Sequence, residues 1–331
     1  MMPVQTDVLS CIGNTSMVML DVALHGQTYR IYAKLEFMNP SGSIKDRIAK
    51  YIVEQAERKG LLESGYTIVE ATSGNTGIAL SMVAAAKGYG MLVVMPEHMT
   101  GERIKIMTSL GATLCLTPKD EGFEGAVARA DKIAKSGERY FLANQFRNPD
   151  NIMAHYHTTG EEILQQIDGD VDAFVAGVGT GGTLMGVGRV LRERNPNVCL
   201  VAVEPEEAAV LSGRNDIQDH KIAGIGDGFV PEIVDMNQID RVITVRSDDA
   251  VEMAKRLARE RGLMVGVSSG ANVLASARII DEIGQGKNVV TVLPDRTERY
   301  LSTDLCISGD SQVRQCSKRC ECPFERRGSW D

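Results

Sequence analysis

Short apolar runs alternate with helix-length amphipathic stretches along most of the chain, and this alternation constrains the fold more than any other feature. The apolar runs at 31–35, 67–70, 91–95, 113–117, 173–177, 199–204, 241–245 and 289–293 are strand-sized. Between them, the stretches at 44–59, 76–87, 101–110, 122–135, 183–194 and 247–261 read as helices. Strands that alternate with helices close as right-handed parallel crossovers, so the pattern predicts an α/β protein with mainly parallel sheets. A chain of 331 residues has room for two such units. The turn formers at 148–151 (NPDN) mark a boundary between two α/β blocks.

Composition narrows the partners. The net charge of −8, with no basic stripe, argues against nucleic acid and anionic membranes, since phosphate binding needs clustered Lys and Arg. The most apolar stretches are strand-sized or broken by Gly and charge, so no transmembrane helix is expected. Residues 1–12 carry Asp7 and no long apolar run, unlike a secretory signal. Seven cysteines form an odd set, and Cys11, Cys115 and Cys199 stand alone in apolar contexts. That usage suits reduced thiols and a cytoplasmic location. From 304 to 331 the apolar period is lost and a poorly ordered tail is expected. Its cysteines, Cys306, Cys316, Cys320 and Cys322, lack the paired spacing of a zinc site. The five histidines, His155 and His157 among them, make no ligand set, so no metal is expected.

Four polar or glycine-rich segments interrupt the scaffold: 39–47 (NPSGSIKDR), 72–77 (TSGNTG), 177–183 (GVGTGGT) and 266–270 (GVSSG). In open α/β sheets such loops gather at the carboxyl ends of strands, where ligands bind. Residues 177–182 match G-x-G-x-x-G after a strand and before a helix, and the next strand ends in Glu204. That is a dinucleotide fingerprint, and a nicotinamide-dependent oxidoreductase is therefore one reading. The loop by itself requires only an anion at a helix N-terminus. Thr180 and Thr183 add hydroxyl donors, so a compact phosphate monoester is favoured over a pyrophosphate. Lys45 follows a Pro-Ser-Gly-Ser loop at the start of a helix, where positive potential lowers an amine's pKa and frees it for Schiff-base chemistry. Most lysines are solvated surface charges, and position alone does not decide the matter.

Taken together, the segments resemble a known family. Residues 39–47 resemble the cofactor-lysine segment of the cysteine synthases (O-acetylserine sulfhydrylases), and 72–77 their substrate loop. Residues 179–183 resemble their phosphate loop, and 266–271 the segment that meets the pyridine nitrogen. All four occur in family order, and the similarity runs from about residue 9 to 304.

The resemblance implies a tryptophan-synthase-β-like enzyme of fold type II: two three-layer α/β domains with pyridoxal 5′-phosphate in the cleft between them. Residues 1–39 and 151–303 would form the larger, cofactor-anchoring domain, and 40–150 the smaller, mobile one. Lys45 would carry the cofactor as a Schiff base and remove the substrate's α-proton. Asn75 would bond the ring hydroxyl, Gly179, Thr180, Gly181, Gly182 and Thr183 the phosphate, and Ser268 the ring nitrogen. Thr72, Ser73, Gly74, Thr76 and Gln145, with Gly226, would hold the substrate. The implied reaction is β-replacement through an α-aminoacrylate: O-acetyl-L-serine and sulfide give L-cysteine and acetate. O-phosphoserine is the rival donor, and a thiol amino acid as nucleophile would give cystathionine or lanthionine. A homodimer, and a complex with serine acetyltransferase, belong to the same expectation.

One position departs from the pattern. Residues 224–229 (GIGDGF) resemble the family's active-site loop, but Asp227 stands where many members carry Ala. A turn carboxylate facing solvent is the favoured reading. The alternative is a general base beside the second-substrate site, which would suit water or an amino-acid thiol better than hydrosulfide.

Overall fold

The protein is described as a computed structural model covering residues 5–72, 74–97 and 101–306. Ser73, Cys316, Cys320 and Cys322, with the tail from 307 onward, lie outside the described residues.

The chain opens with a hairpin, β1 (Met17–Leu24) and β2 (Gln27–Lys34), paired antiparallel with Leu24 opposite Gln27. The two residues between, His25 and Gly26, sit at φ 48° and 80°. Positive φ at both central positions is what a primed two-residue turn needs to match strand twist. Then follow α1 (Lys45–Arg58), β3 (Thr67–Ala71), α2 (Asn75–Lys87), β4 (Gly90–Pro96), α3 (Gly101–Ser109), β5 (Thr113–Thr117), α4 (Gly122–Ala134) and β6 (Tyr140–Leu142). Strands β3 to β6 make a wholly parallel sheet in the order β5-β4-β3-β6.

The chain next runs through α5 (Asp150–His155) and α6 (Glu161–Gln166), joined by a π-helical turn at Tyr156–Gly160. After these come β7 (Ala173–Gly177), α7 (Gly182–Arg194), β8 (Cys199–Pro205), β9 (Arg241–Val245), α8 (Ser247–Arg261), α9 (Val267–Ile283) and β10 (Val289–Val292). These strands join the hairpin in a second sheet of order β1-β2-β10-β7-β8-β9, in which only the β1–β2 pair is antiparallel.

Each sheet is the middle of three layers, as alternation along the strands dictates. In β7 and β8, Val175, Val201 and Val203 pack with Leu257 and Ile279 of α8 and α9. The intervening Phe174, Leu200 and Ala202 pack with Ile163 of α6 and Leu184 and Leu191 of α7 on the other face. In the four-stranded sheet, Ile68 and Val93 meet Ile48, Ile52, Ile78 and Met107 of α1–α3, while Val69 and Val94 meet Ala126 and Ala130 of α4. The expected strands and helices are all present; β1, β6, α5, α6 and α9 are additions. No helix among the described residues is long and apolar enough to cross a membrane.

A buried ion cluster ties the hairpin to α1 and α6. Arg47 Nε donates to Glu36 at 2.6 Å and its Nη1 to Glu162 at 2.6 Å, and Lys34 pairs with Glu162 at 2.8 Å. The Arg47 and Lys34 side chains have no exposed surface.

Candidate active site

The carboxyl ends of β3, β7 and β10 open onto one cavity, and the sequence segments meet there. Ahead of α1 the loop is fastened on both sides. The Asp46 carboxylate accepts from the Ser41 backbone N–H at 2.6 Å and from the Ser41 hydroxyl, and Arg299 donates to the Ser41 carbonyl. The Ile44 N–H donates to the Pro294 carbonyl at 2.8 Å, just past β10. Lys45, the first residue of α1, is thereby set in the cavity wall. Its pKa is lowered, and the main cause is burial of the ammonium, opposed by the nearby carboxylates of Asp227 and Asp295. The direction agrees with the sequence reading, and burial is its leading cause.

At the end of β3, the Thr72 N–H donates to the Val94 carbonyl at 3.0 Å and the Thr72 hydroxyl accepts the Gly74 N–H at 3.2 Å. The Thr76 hydroxyl donates to Gln145 Oε1 at 2.6 Å, which pins Gln145 over the start of α2. Asn75 Nδ2 donates to Asp295 Oδ2 at 2.7 Å, and Asn75 Oδ1 is buried with no partner among the described residues. Tyr300 donates to the same Asp295 oxygen at 2.6 Å. An orphaned buried amide oxygen is costly, so this one points to a group that is bound there.

The turn from β7 into α7 is an anion cradle. Gly181 has φ 85°, and a Cβ on Gly179 would lie 2.3 Å from the Gly224 carbonyl oxygen. Backbone N–H groups at the α7 N-terminus are left to face an anion. Thr180 Oγ1 accepts from Asn151 Nδ2 at 3.0 Å, which leaves the Thr180 proton available for donation. Thr183 meets His155 Nε2 at 3.2 Å, while His155 Nδ1 meets Thr159 at 2.9 Å. Burial, helped by Lys45 and Arg47, holds the His155 pKa well below its ordinary value, so the ring stays neutral. Across the cavity, Ser268 lies in the first turn of α9, after Gly266.

Lys45, Thr72, Gly74, Asn75, Thr76 and Gln145 therefore share one cavity with Gly179, Thr180, Gly181, Thr183, Asp227 and Ser268. Gly182 and Gly226 shape it from behind. Gly182 begins α7 where a Cβ would meet the Asn151 side chain, and Gly226 bonds to the Val178 carbonyl at 3.1 Å. An amine of lowered pKa, a phosphate cradle, an orphaned amide oxygen and a serine hydroxyl fit the aldehyde, phosphate, ring hydroxyl and ring nitrogen of pyridoxal phosphate.

A family model described as "Pyridoxal-phosphate dependent enzyme" matches residues 8–295. The chain belongs to the pyridoxal-phosphate-dependent enzymes. It is 48% identical over 300 residues to a cysteine synthase of Staphylococcus aureus, covering 90% of this chain and 96% of that one. Among solved structures, an O-ureido-L-serine synthase superposes with a TM-score of 0.88 at 42% identity, covering 94% of this chain and 98% of that one. A hydrogen sulfide-producing enzyme from Fusobacterium nucleatum superposes with a TM-score of 0.88 at 39% identity, covering 92% of each chain.

Three site features of this pyridoxal-phosphate enzyme refine the sequence reading. Glu204, which a dinucleotide site would turn toward a ribose, is buried and spent: its oxygens accept from the Leu211 N–H at 2.8 Å, the Ser212 N–H at 2.9 Å and the Ser212 hydroxyl at 2.5 Å. Asp227 keeps exposed surface, as a turn carboxylate would, but it is also part of the lining of the cofactor cavity. Surrounding protein raises its pKa, against the pull of Lys45 and His220. Asn151, His155 and Asp295 support the site directly, and none stands in a recognisable motif. The nearest sequence signals are the turn cluster around Asn151 and the four-residue spacing of His155 and Thr159.

Proposed function

We propose that the chain is a cysteine synthase, converting O-acetyl-L-serine and sulfide into L-cysteine and acetate. The convergence of Lys45, Asn75, Gly179, Thr180, Gly181, Thr183 and Ser268 on one cavity carries the reading. Pyridoxal phosphate would supply an electron sink for negative charge at the substrate's α-carbon.

The chain's own residues account for the rest. Lys45 removes the α-proton; its lowered pKa leaves more free amine than a surface lysine has. Ser268 offers the ring nitrogen a hydroxyl. A hydroxyl does not keep that nitrogen protonated as a carboxylate would, which limits delocalisation into the ring and favours loss of the β-substituent. Thr72, Gly74, Thr76 and Gln145 hold the substrate carboxylate, and Ser73 stays in this set on its sequence position alone. The C–O bond to acetate breaks, the C–S bond forms, and the proton taken by Lys45 is returned. Closure of residues 40–150, the smaller unit, over 1–39 and 151–303 would exclude water during these steps. The same reading takes the enzyme to act in the cytoplasm as a homodimer, with serine acetyltransferase as its protein partner.

Borohydride reduction of the cofactor-loaded protein tests the assignment of the lysine. A pyridoxyl mass on the peptide carrying Lys45, with cysteine made from O-acetylserine and sulfide by the untreated enzyme and not by Lys45→Ala, is the expected result. Label on another lysine, or undiminished synthesis by Lys45→Ala, would contradict it.

Asp227 favours a second reading. A cavity carboxylate of raised pKa repels hydrosulfide and can take a proton from water or a thiol. On that reading L-cysteine is the donor and sulfide the leaving group; the Fusobacterium nucleatum relative is named a hydrogen sulfide-producing enzyme.

A further inference from the structure

Asp295 lies just past β10 and ties together three of the segments that build the cofactor cavity. Its backbone bridges to Ser43, ahead of Lys45. Its carbonyl accepts the Gly266 N–H at 3.0 Å, at the entrance to α9 and Ser268. The side chain reaches the start of α2: Oδ2 accepts from Asn75 Nδ2 at 2.7 Å and from the Tyr300 hydroxyl at 2.6 Å. Asp295 is 1% exposed, and a Cβ on Gly266 would collide with its Oδ1, so the carboxylate has little room to turn away. No step above uses it.

Counting donors fixes how the Asn75 amide must lie. A carboxylate offers only acceptors, and an amide has donors only at its nitrogen. Burial and the Asp295 charge push the Tyr300 pKa up, so its hydroxyl stays protonated and gives its one proton to Asp295. Asn75 must therefore turn its nitrogen to Asp295, which leaves Asn75 Oδ1 buried with no partner among the described residues.

We propose that Asp295 is a positioning residue: it orders the Asn75 amide so that Asn75 meets the ring hydroxyl of pyridoxal phosphate as an acceptor and favours the protonated ring oxygen. The inference rests on the placement of that hydroxyl beside Asn75, and it does not depend on which donor or nucleophile the enzyme takes. An amide nitrogen in the same place would donate instead, and would favour a bare ring oxygen with the proton moved to the Lys45 nitrogen. The charge of Asp295 acts in the opposite direction from its hold on Asn75, because a nearby carboxylate favours a proton on the Lys45 nitrogen. Wild-type protein should therefore show both forms.

The two forms differ in colour, so the test needs no turnover. With the proton on the ring oxygen the bound cofactor absorbs chiefly in the near ultraviolet; with the proton on the Lys45 nitrogen it absorbs in the visible. The experiment compares the ratio of these bands in cofactor-loaded Asp295→Asn and Asp295→Ser at one pH. Both variants lack the charge, but only Asp295→Asn keeps an acceptor oxygen within reach of the Asn75 nitrogen. The near-ultraviolet to visible ratio should be about fivefold higher in Asp295→Asn, the worth of one hydrogen bond. In an Asn75→Ala background the two variants should agree. Equal ratios with Asn75 present, or the same difference without it, would overturn the proposal, because Asp295 would then not act through Asn75. Should Asp295→Ser not fold, Asp295→Leu carries the same expectation. If Asn75→Ala alone leaves the wild-type ratio unchanged, the placement of the ring hydroxyl falls and the proposal with it. Cysteine formation by the wild-type enzyme judges the β-replacement reading separately.

Discussion

Glu70, one residue from the end of β3, carries a fully buried carboxyl group whose Oε2 has no partner among the described residues. Burial raises its pKa from 4.5 to about 8, although contacts with Asn144 and Gln145 hold it down in part. A carboxyl whose pKa is raised on folding contributes stability that is complete below its unfolded value and is lost as pH rises through the folded one. Wild-type protein should therefore lose stability relative to Glu70→Gln between pH 4.5 and about 8. The expected rate is ~1.4 kcal/mol per pH unit at most. Urea midpoints at pH 5, 6.5 and 8 give the comparison, and parallel curves for the two proteins would rule the effect out.

Asp227 makes a second prediction at this scale. If it acts as a base, Asp227→Asn should slow sulfide release from L-cysteine by about 10²-fold or more, with the O-acetylserine and sulfide reaction little changed or faster. Equal slowing of both reactions would point to a structural role. At the level of single residues, Lys45, Asn75, Thr180 and Ser268 were legible because each sits in a short local motif. Asn151, His155 and Asp295 were not, because their roles arise only when α5 and the end of β10 fold back against loops far away in sequence.

The elements that hold the site depend on the ion cluster around Arg47, two residues beyond Lys45. Arg47→Met would leave Glu36 buried without its cation, a change that typically costs about 3–5 kcal/mol. Denaturant midpoints at fixed cofactor saturation should show that loss, and adding Glu36→Gln should restore part of it. A loss no larger in the single variant than in the double would mean that the charges are not coupled. Of the strands that sequence reading found, β3, β4, β7, β8 and β10 are mostly apolar and mostly buried, as expected of strands covered on both faces. Strand β1 escaped although its sequence is apolar except at Asp21, and although His25-Gly26 carried a hairpin signal. Strand β6 has only three residues, none of them fully buried.

At the scale of the whole molecule, the six-stranded sheet takes its strands from residues 17–34 and 173–292, and the four-stranded sheet from residues 67–142. Loops from both meet in one cavity, so the chemistry assigned to that cavity requires both units together. The β-replacement reading is tested most directly by the visible spectrum of the cofactor-loaded protein, recorded alone, after O-acetyl-L-serine, and after sulfide, with cysteine and acetate quantified. The predicted result is a visible band that shifts with the donor, returns with sulfide, and yields cysteine and acetate in equal amounts. A band indifferent to O-acetylserine, O-phosphoserine and L-cysteine alike would contradict it.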